Sequence, residues 1–593
     1  MKDAMTFHRP KNRDIGAENL LLFVFAALFI ASGCLLLTQQ TAFTLVGSTV
    51  SRYLNVAKGV FLFKIGLLLI GLALAAIGIL FFTARSAAVV KTPAFMHIHG
   101  EMEEEASLKT WAPLLIILAL AVPLRLYGLN SDLWYDEVAT LVEFVRLPVF
   151  QLLTTYGDQN NHPLFSLMAH ASVGVFGESA WALRVPAFVF GLGSLWALFL
   201  LARIVTNQRE AILATLLAAV SYHHVWFSQN ARGYTGLLFW GLLGTWLFIK
   251  GCRRNSPSIW AGYAVSMALG MYTHLTAGFV LISHVMIYGF LVLFRRRSNT
   301  FVSPAAWYPL ASFLLIGLFS FQLYALILPQ VIESFHVQVG GGRVDAWTNP
   351  FWAVLEVIRG LRIGFGTSIG VGIALVVFLS GLVNYGKGNP VVVWLFAIPV
   401  VTGSATLLAL HRHFYPRFFF FELGIGVLIL IRGTTAISGF LTRWWITDNM
   451  KQERIGRAVG TTIASMIIVV AALSLYQNYR YPKQDYQGPL RYIEQHRRQD
   501  DMIITAGHAS YPYRRYYAPY LKTVATVEEL NEILFQNKTI WLIYSFPDHM
   551  DSFFPGMRSV IEAHFTMMKE FPGTLGGGTL FVCRSAQMID NSK

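Results

Sequence analysis

Two adjacent carboxylates, Asp136 and Glu137, end the run Ser131-Asp132-Leu133-Trp134-Tyr135-Asp136-Glu137. The run follows an apolar stretch of about 20 residues, long enough to cross a bilayer. Its aromatic pair is ordinary at a membrane interface. The acids are less ordinary, because a carboxylate at the bilayer edge is costly to desolvate and tends to mark function. In a partly apolar cleft its pKa rises, and it can take a proton from an acceptor hydroxyl or amine. The structural alternative is a helix start, with Asp136 capping a helix over 138–150 and Glu137 in its first turn. The two roles are compatible, and the residue types leave both open.

Cations recur at the same membrane edge. In Asn160-Asn161-His162-Pro163-Leu164-Phe165, Pro163 suits a first helical position, with Asn161 or His162 near the cap. At such a helix N-terminus, amide dipoles and a His162 imidazolium could hold a phosphate. Arg232, in Ser228-Gln229-Asn230-Ala231-Arg232-Gly233-Tyr234, lies on a turn where few arginines are expected. A partner such as Asp136, an anionic ligand, or snorkelling to lipid headgroups would each explain it. A second turn, His411-Arg412-His413-Phe414-Tyr415-Pro416-Arg417, crowds two arginines and two histidines, and Arg417 could grip a lipid-linked phosphate bidentately. The His411-x-His413 spacing invites a metal reading, but two ligands without a third are a weak signal, so a divalent metal stays open. His223, His224 and His274 read as structural.

These groups need elements to bring them together. The chain has 593 residues, 55% of them hydrophobic and 13% charged, with mean hydropathy +0.52. A soluble protein of this length would carry about 25% charged residues. Repeated apolar runs account for the deficit and predict an α-helical polytopic membrane protein. The first run, Leu20 to Leu37, reads as a retained anchor rather than a signal peptide. Net charge +14 is explained by Lys and Arg flanking spans on the cytoplasmic side. No compact basic and aromatic surface points to nucleic acid. Cys34, Cys252 and Cys583 are too far apart to suggest a disulfide framework or a Cys-based metal site.

Hydropathy and positive flanks predict about thirteen spans. They fall at about 18–38, 59–83, 111–129, 182–204, 210–227, 234–250, 258–273, 275–294, 305–328, 364–385, 390–410, 415–431 and 458–476. Lys2, Arg9, Lys11 and Arg13 place the N-terminus inside. The linker 84–110, with Arg85, Lys91 and the acids Glu101 to Glu105, reads as a cytoplasmic loop. Two modest helical patterns, at about 139–155 and 163–176, are expected to lie in the outer interface. A crossing by 163–176 would turn the basic segments Lys250 to Arg254 and Arg295 to Arg297 outward. A further outer loop, 329–363, carries Gly340-Gly341-Gly342 and an interfacial helix from Phe351.

Three regions follow: 1–110, two additional N-terminal helices and the linker; 111–479, a transmembrane core with its first outer loop at 130–181; and 480–593, a small extracytoplasmic α/β domain. In the last, strand-like runs at Met502 to Thr505, Ile540 to Ser545 and Thr579 to Cys583 alternate with helical patterns at Leu490 to Arg498 and Val527 to Phe535. That topology puts Asp136, Glu137, His162, Arg232 and Arg417 on one side, on four separate segments. Acids and cations at one face suit a reaction in which a phosphate leaves and a nucleophile loses a proton.

At these residues the sequence resembles the GT-C superfamily of polyprenyl-phosphate-dependent glycosyltransferases, and is most similar to the protein O-mannosyltransferase and aminoarabinose transferase group (glycosyltransferase family 39-like). The similarity is carried, in the family's order, by Leu133-Trp134-Tyr135-Asp136-Glu137, His162-Pro163-Leu164-Phe165, Leu183-Arg184-Val185-Pro186, Ser228 to Tyr234 and Tyr415-Pro416-Arg417-Phe418. It covers about 111–476. The resemblance implies a GT-C fold and an inverting transfer from a polyprenyl-phosphate sugar, such as undecaprenyl phosphate, to a lipid, protein or glycan acceptor of the cell envelope. It implies Asp136 as the base with Glu137 assisting, and His162 and Arg417 on the donor phosphate with Arg232 in support. Tyr135, Asn161, Gln229, Tyr234 and His413 stand beside them as candidates for substrate contact. The sequence departs from the family pattern at Leu164, where a second proline is usual, and at Asn161, where the aminoarabinose branch carries an acid. The first two spans are additions before the shared core. A bacterial inner membrane, with site and C-terminal domain outside, is the expected setting. A transporter or flippase would instead predict mid-membrane charges and inverted repeats, and a scaffold would leave the arginines unexplained.

Overall fold

The computed structural model describes residues 15–38, 50–84, 108–157, 159–296, 307–336, 348–536 and 538–585. The cations Lys2 to Arg13, the charged linker from Arg85 to Glu105, the side chains at 295–297 and the Gly340 to Gly342 triplet lie outside the described residues. The described part is mostly helical. Among these residues, eight helices are long and apolar enough to cross a membrane: Asn55–Leu80, Ala180–Val205, Tyr234–Arg254, Trp307–Tyr324, Ser368–Gly388, Pro390–Ala409, Pro416–Arg443 and Asn449–Arg480. A ninth results if Gln208–Val220 and Tyr222–Ser228, bent by 60°, form one span.

Each stretch expected as a span contains a helix among the described residues, yet fewer pass on length and apolarity than the thirteen expected. Phe23–Cys34, Thr110–Leu126 and Ala277–Leu293 are apolar but shorter over the described residues. Arg125 has a structural task. Its guanidinium is fully buried and donates to the carbonyls of Ala121 (3.0 Å) and Ala219 (3.1 Å), and to Ser228 Oγ (3.2 Å). Ala219 sits where the bent pair breaks, so Arg125 satisfies a carbonyl that the interrupted helix leaves without a donor.

The helical core is built by faces of Ala180–Val205, Gln208–Val220, Tyr234–Arg254 and Leu423–Arg443, with Leu195, Phe199, Leu237, Phe248, Leu428 and Ile429 sealed between them. Packing is tightest where Ser368–Gly388 meets Leu423–Arg443. A Cβ on Gly381 would fall 1.9 Å from the Ile429 carbonyl oxygen, and one on Gly433 would fall 1.9 Å from that of Val377. Only glycine permits two helix backbones to touch this closely.

Asp448 caps Asn449–Arg480 by accepting from the Met450 and Lys451 amides, and this helix hands the chain to the C-terminal domain. There a five-stranded mixed sheet comprises β1 (Met502–Ala506), β2 (Lys522–Val524), β3 (Ile540–Ser545), β4 (Phe565–Phe571) and β5 (Leu580–Ser585), in the order β2-β1-β3-β5-β4. The pairs β1–β2 and β1–β3 are parallel, and β3–β5 and β5–β4 are antiparallel. Strand alternation splits the side chains between two cores. Ile504 and Leu542 pack with Leu530 and Ile561, while Ile503, Trp541 and Ile543 pack with Tyr486 and Tyr513. The sequence suggests β1, β3 and β5. It hides β2, with three residues, and β4, an edge strand whose five middle residues are exposed and so lack alternation.

Candidate active site

The segment after Leu126 winds around one guanidinium. Arg184, fully buried near the start of Ala180–Val205, donates to the carbonyls of Leu129 and Ser131 (both 2.8 Å) and Asp132 (2.9 Å). It also forms a two-pronged bond to Glu137, Nε to Oε1 at 2.7 Å and Nη2 to Oε2 at 2.5 Å. Glu137 accepts in addition from the backbone amides of Ala231 (2.6 Å) and Trp134 (3.2 Å). Burial works to raise the Glu137 pKa, but the charges of Arg184 and Lys483 and these hydrogen bonds overcome it and hold the carboxyl below the usual range. Glu137 therefore ties three segments together as a fixed anion.

The local helix starts earlier than expected. Trp134 is the N-cap, Tyr135–Thr140 is the first helical piece, a π turn follows over Leu141–Val145, and Pro148 begins a separate helix at Val149–Thr154. Pro148 has no amide hydrogen to continue a ladder, which divides the single helix expected at about 139–155. Glu137, not Asp136, reaches back to the cap amide. Asp136 is left facing away from that anchor, and its Oδ2 meets Arg417 Nη1 at 3.2 Å. These side chains are 15% and 31% exposed, against 0% for both Glu137 and Arg184. Of the two acids, Asp136 alone is open to a ligand.

Arg417 opens the turn Pro416–Glu422, stacks on the Tyr415 ring at 4.6 Å, and has a buried Nε without a hydrogen-bond partner. Arg232, for which Asp136 was one of the candidate partners, donates to Thr140 Oγ1 (3.0 Å) and the Asn160 carbonyl (2.6 Å). Its Nη2 lies 3.2 Å from His162 Nε2, and its own Nε is buried and unpartnered. Arg417 takes the place at Asp136 because it arrives on a separate turn, whereas Arg232 is held against the 135–140 helix by its bonds.

His162 caps Pro163–Phe176 from a buried position, and its Nδ1 accepts from the Gly233 amide at 2.7 Å. Burial, then the positive charges of Arg232 and Arg417 with His274 close by, holds its pKa well below the ordinary histidine value. The imidazolium expected from sequence is thus a neutral imidazole, with Nδ1 used as acceptor and the proton on Nε2. That Nε2–H and an Arg232 N–H face one another, so the pair presents two donors to a shared acceptor. Tyr234 and His274 complete the cluster, with ring centroids 5.2 and 4.7 Å from His162.

The remaining expected contacts divide. Tyr135 turns its ring toward the sheet domain, 5.3 Å from Tyr511. Asn161 is absorbed locally, accepting from Ser166 Oγ (2.9 Å) and donating to the Thr155 carbonyl (3.3 Å). Gln229 is a brace, donating to the carbonyls of Arg125 (3.0 Å) and Tyr127 (2.5 Å) and accepting from Asn478 (2.8 Å). His413 sits edge-on to the Tyr415 ring at 5.5 Å. Among the described residues no group of three or more His, Cys, Asp or Glu side chains could hold a metal ion.

Two groups the sequence reading did not assign prove central. Arg184 was visible only as part of a motif, although a cation inside an apolar helix at this end raises the same question as Arg232. Lys483, just past the last span, is buried, donates to the Gln229 carbonyl at 2.5 Å and lies over the Trp226 ring. Burial and the Arg184 charge push it down to about 7, with Glu137 opposing.

Several solved structures are similar to this chain. ArnT from Cupriavidus metallidurans bound to undecaprenyl phosphate is 11% identical with a TM-score of 0.47, over 81% of this chain and 99% of that one. The archaeal oligosaccharyltransferase AglB from Archaeoglobus fulgidus, in complex with an inhibitory peptide and a dolichol-phosphate, is 10% identical with a TM-score of 0.43, over 82% and 75%. The arabinosyltransferase EmbB from Mycobacterium smegmatis is 12% identical with a TM-score of 0.41, over 70% and 44%. No curated protein sequence matches the chain. Residues 160–324 match the family model described as dolichyl-phosphate-mannose-protein mannosyltransferase. The matched stretch takes in His162, Arg184, Arg232, Tyr234 and His274, and leaves out Asp136, Glu137 and Arg417. Over that stretch, less than a third of its length, the chain is similar to the dolichyl-phosphate-mannose-protein mannosyltransferase family.

Proposed function

We propose that the chain catalyses an inverting transfer in which Asp136 is the general base and Arg417 receives the leaving phosphate. The observation that carries this reading is the 3.2 Å pairing of a partly exposed carboxylate with a partly exposed guanidinium, beside a wall of donors made by Arg232 and His162. A donor phosphate oxygen would compete for Arg417 and fit between the facing N–H groups of Arg232 and His162, supplying the acceptor that both lack. Loosened from Arg417, Asp136 takes the proton of an acceptor hydroxyl. The oxygen attacks the anomeric carbon from the opposite face, and the carbon–oxygen bond to phosphate breaks with its electron pair going to the polyprenyl phosphate. Glu137 acts through position, holding the 129–137 segment and the 229–233 turn in register.

The site is assigned to the extracytoplasmic face, and the N-terminus to the cytoplasm. Tyr234 starts a 21-residue helix at the site, and the basic turn Lys250 to Arg254 ends it about 30 Å away. Positive charge at that far end supports a cytoplasmic position for it. A bacterial inner membrane and an undecaprenyl-phosphate donor are the corresponding setting. No metal-ligand set is at hand among the described residues, and no step is routed through a metal.

Asp136→Asn tests the proposal. Purified protein supplied with a panel of polyprenyl-phosphate sugars should turn over one of them. The variant should lose transfer by about 100-fold or more while its melting temperature holds. Unchanged turnover in Asp136→Asn would remove Asp136 from the mechanism.

A further inference from the structure

The turn bearing Arg417 continues into Leu423–Arg443, and Asn449–Arg480 returns from the far end of that helix. The two form a hairpin whose tip lies on the membrane face opposite the candidate site. They pack through small residues. A Cβ on Gly460 would fall 2.9 Å from Ser438 Oγ, and one on Gly456 would fall 3.3 Å from Thr442 Oγ1. Arg209 fastens the base of the hairpin by donating to the Arg457 carbonyl and to Thr461 Oγ1. The tip is therefore held at a set depth.

The charges show what that depth is. No charged residue stands between Arg457 and Arg480, a helical length of about 33 Å that matches a hydrocarbon core of about 30 Å. Arg457 thus marks the edge of the core. Thr442, packed on the neighbouring Gly456, lies at the same level. Trp444 and Trp445 follow, about 3–5 Å further out at the helical rise. The headgroup layer is about 5–8 Å thick, so both indoles fall within it.

The tip carries two kinds of exposed side chain. Trp445 is 87% exposed, Trp444 74%, Met450 73% and Phe440 60%. An indole has an apolar body and one N–H donor, and it settles where hydrocarbon gives way to headgroups. Arg443, Lys451, Arg454 and Arg457 are exposed around them. Glu453 pairs with Arg457 at 3.5 Å, and Asp448 is occupied in capping its helix. That leaves Arg443, Lys451 and Arg454 without a carboxylate partner among the described residues.

We propose that this tip docks on anionic phospholipid headgroups of the leaflet opposite the candidate site. Trp444 and Trp445 sit among the headgroups, and Arg443, Lys451 and Arg454 take their phosphates. The charge is complementary, since three unmatched cations close to an anionic surface each add attraction. A preference for positive flanks on one membrane face accounts for the cations. It does not account for two exposed indoles between them, which a lipid surface at this depth would cover. The proposal needs the chain to span a membrane and is independent of the transfer reaction.

A fluorophore at Thr447→Cys, an exposed position in the tip, tests this in the full-length protein with Cys34→Ser, Cys252→Ala and Cys583→Ala. The protein is placed in phosphatidylcholine nanodiscs holding equal mole fractions of either 5-doxyl phosphatidylglycerol or 5-doxyl phosphatidylcholine as quencher. The phosphatidylglycerol probe should quench at least about threefold more strongly. Joint replacement Arg443→Gln, Lys451→Gln and Arg454→Gln should bring the two probes level. Trp444→Ser with Trp445→Ser should weaken quenching by both lipids and strengthen quenching by aqueous iodide. All these side chains are exposed, so unchanged melting temperatures should accompany the shifts. Equal quenching by the two lipids in the parent, or a preference that survives loss of the three cations, overturns the proposal. Strong iodide quenching with neither lipid effective also overturns it, and would make the tip a docking site for a protein in the aqueous phase.

Discussion

At the scale of single residues, two neighbouring acids have opposite surroundings. Glu137 has its oxygens filled by Arg184 and two backbone amides, so a proton has nowhere to go. Asp136 shares its charge with one partly exposed arginine. This separates the two in experiment. Arg184→Met should cost about 3–5 kcal/mol of stability, because it strands a buried carboxylate. Glu137→Gln should lower melting temperature and transfer rate together, while Asp136→Asn lowers the rate alone. Parallel thermal melts and transfer assays check the contrast, and equal melting of Glu137→Gln and parent protein would remove the positioning role. Both acids were legible as a pair from sequence. Which one was free was not, because the difference is made by Arg184, 47 positions further on.

Between elements, the precision of the site depends on helices that come unusually close. Leu423–Arg443 continues directly from the turn bearing Arg417, and its backbone touches Ser368–Gly388 at Gly381 and Gly433. A methyl group at Gly381 meets backbone rather than a flexible side chain, so the helices must part. Gly381→Ala should therefore destabilise by about 1–3 kcal/mol. It should also weaken apparent donor affinity, since Arg417 moves with its helix. A melt and a donor titration on the same sample check this, and a parent-like result in both would mean that the contact relaxes locally. The helices themselves were readable as apolar runs. Their contact was not, because glycine in an apolar run carries no sign of what lies opposite.

For the whole molecule, the sheet domain is joined to the helical core by Lys483 on Gln229, Gln484 on the Tyr135 amide, Tyr517 on the Leu133 carbonyl and Thr574 on Trp226. Lys483 makes this joint sensitive to pH. Its folded pKa, about 7, lies below the ordinary lysine value of 10.5. Between these values the unfolded chain holds a proton that the folded chain lacks, so the contribution of this group favours folding increasingly as pH rises from about 7 towards 10.5, and is flat below. Lys483→Met should remove that part of the pH dependence. Comparing melting temperature or protease resistance of the two proteins between pH 7 and 9 checks it, and identical slopes would count against a perturbed lysine.

By itself the sequence determined what its local patterns can encode. Apolar runs specified helices because water excludes them, alternation specified three strands, and the order of short motifs specified the glycosyltransferase resemblance. It also brought forward Asp136, His162, Arg232 and Arg417, because charged groups at a membrane edge need a reason. Tertiary structure alone decided how those charges combine. It gave Arg184 to Glu137 and Arg417 to Asp136, left His162 neutral, and set the C-terminal domain against the segment that carries both acids. Pairing and protonation depend on distance and burial, and these arise only when segments hundreds of residues apart share one interior.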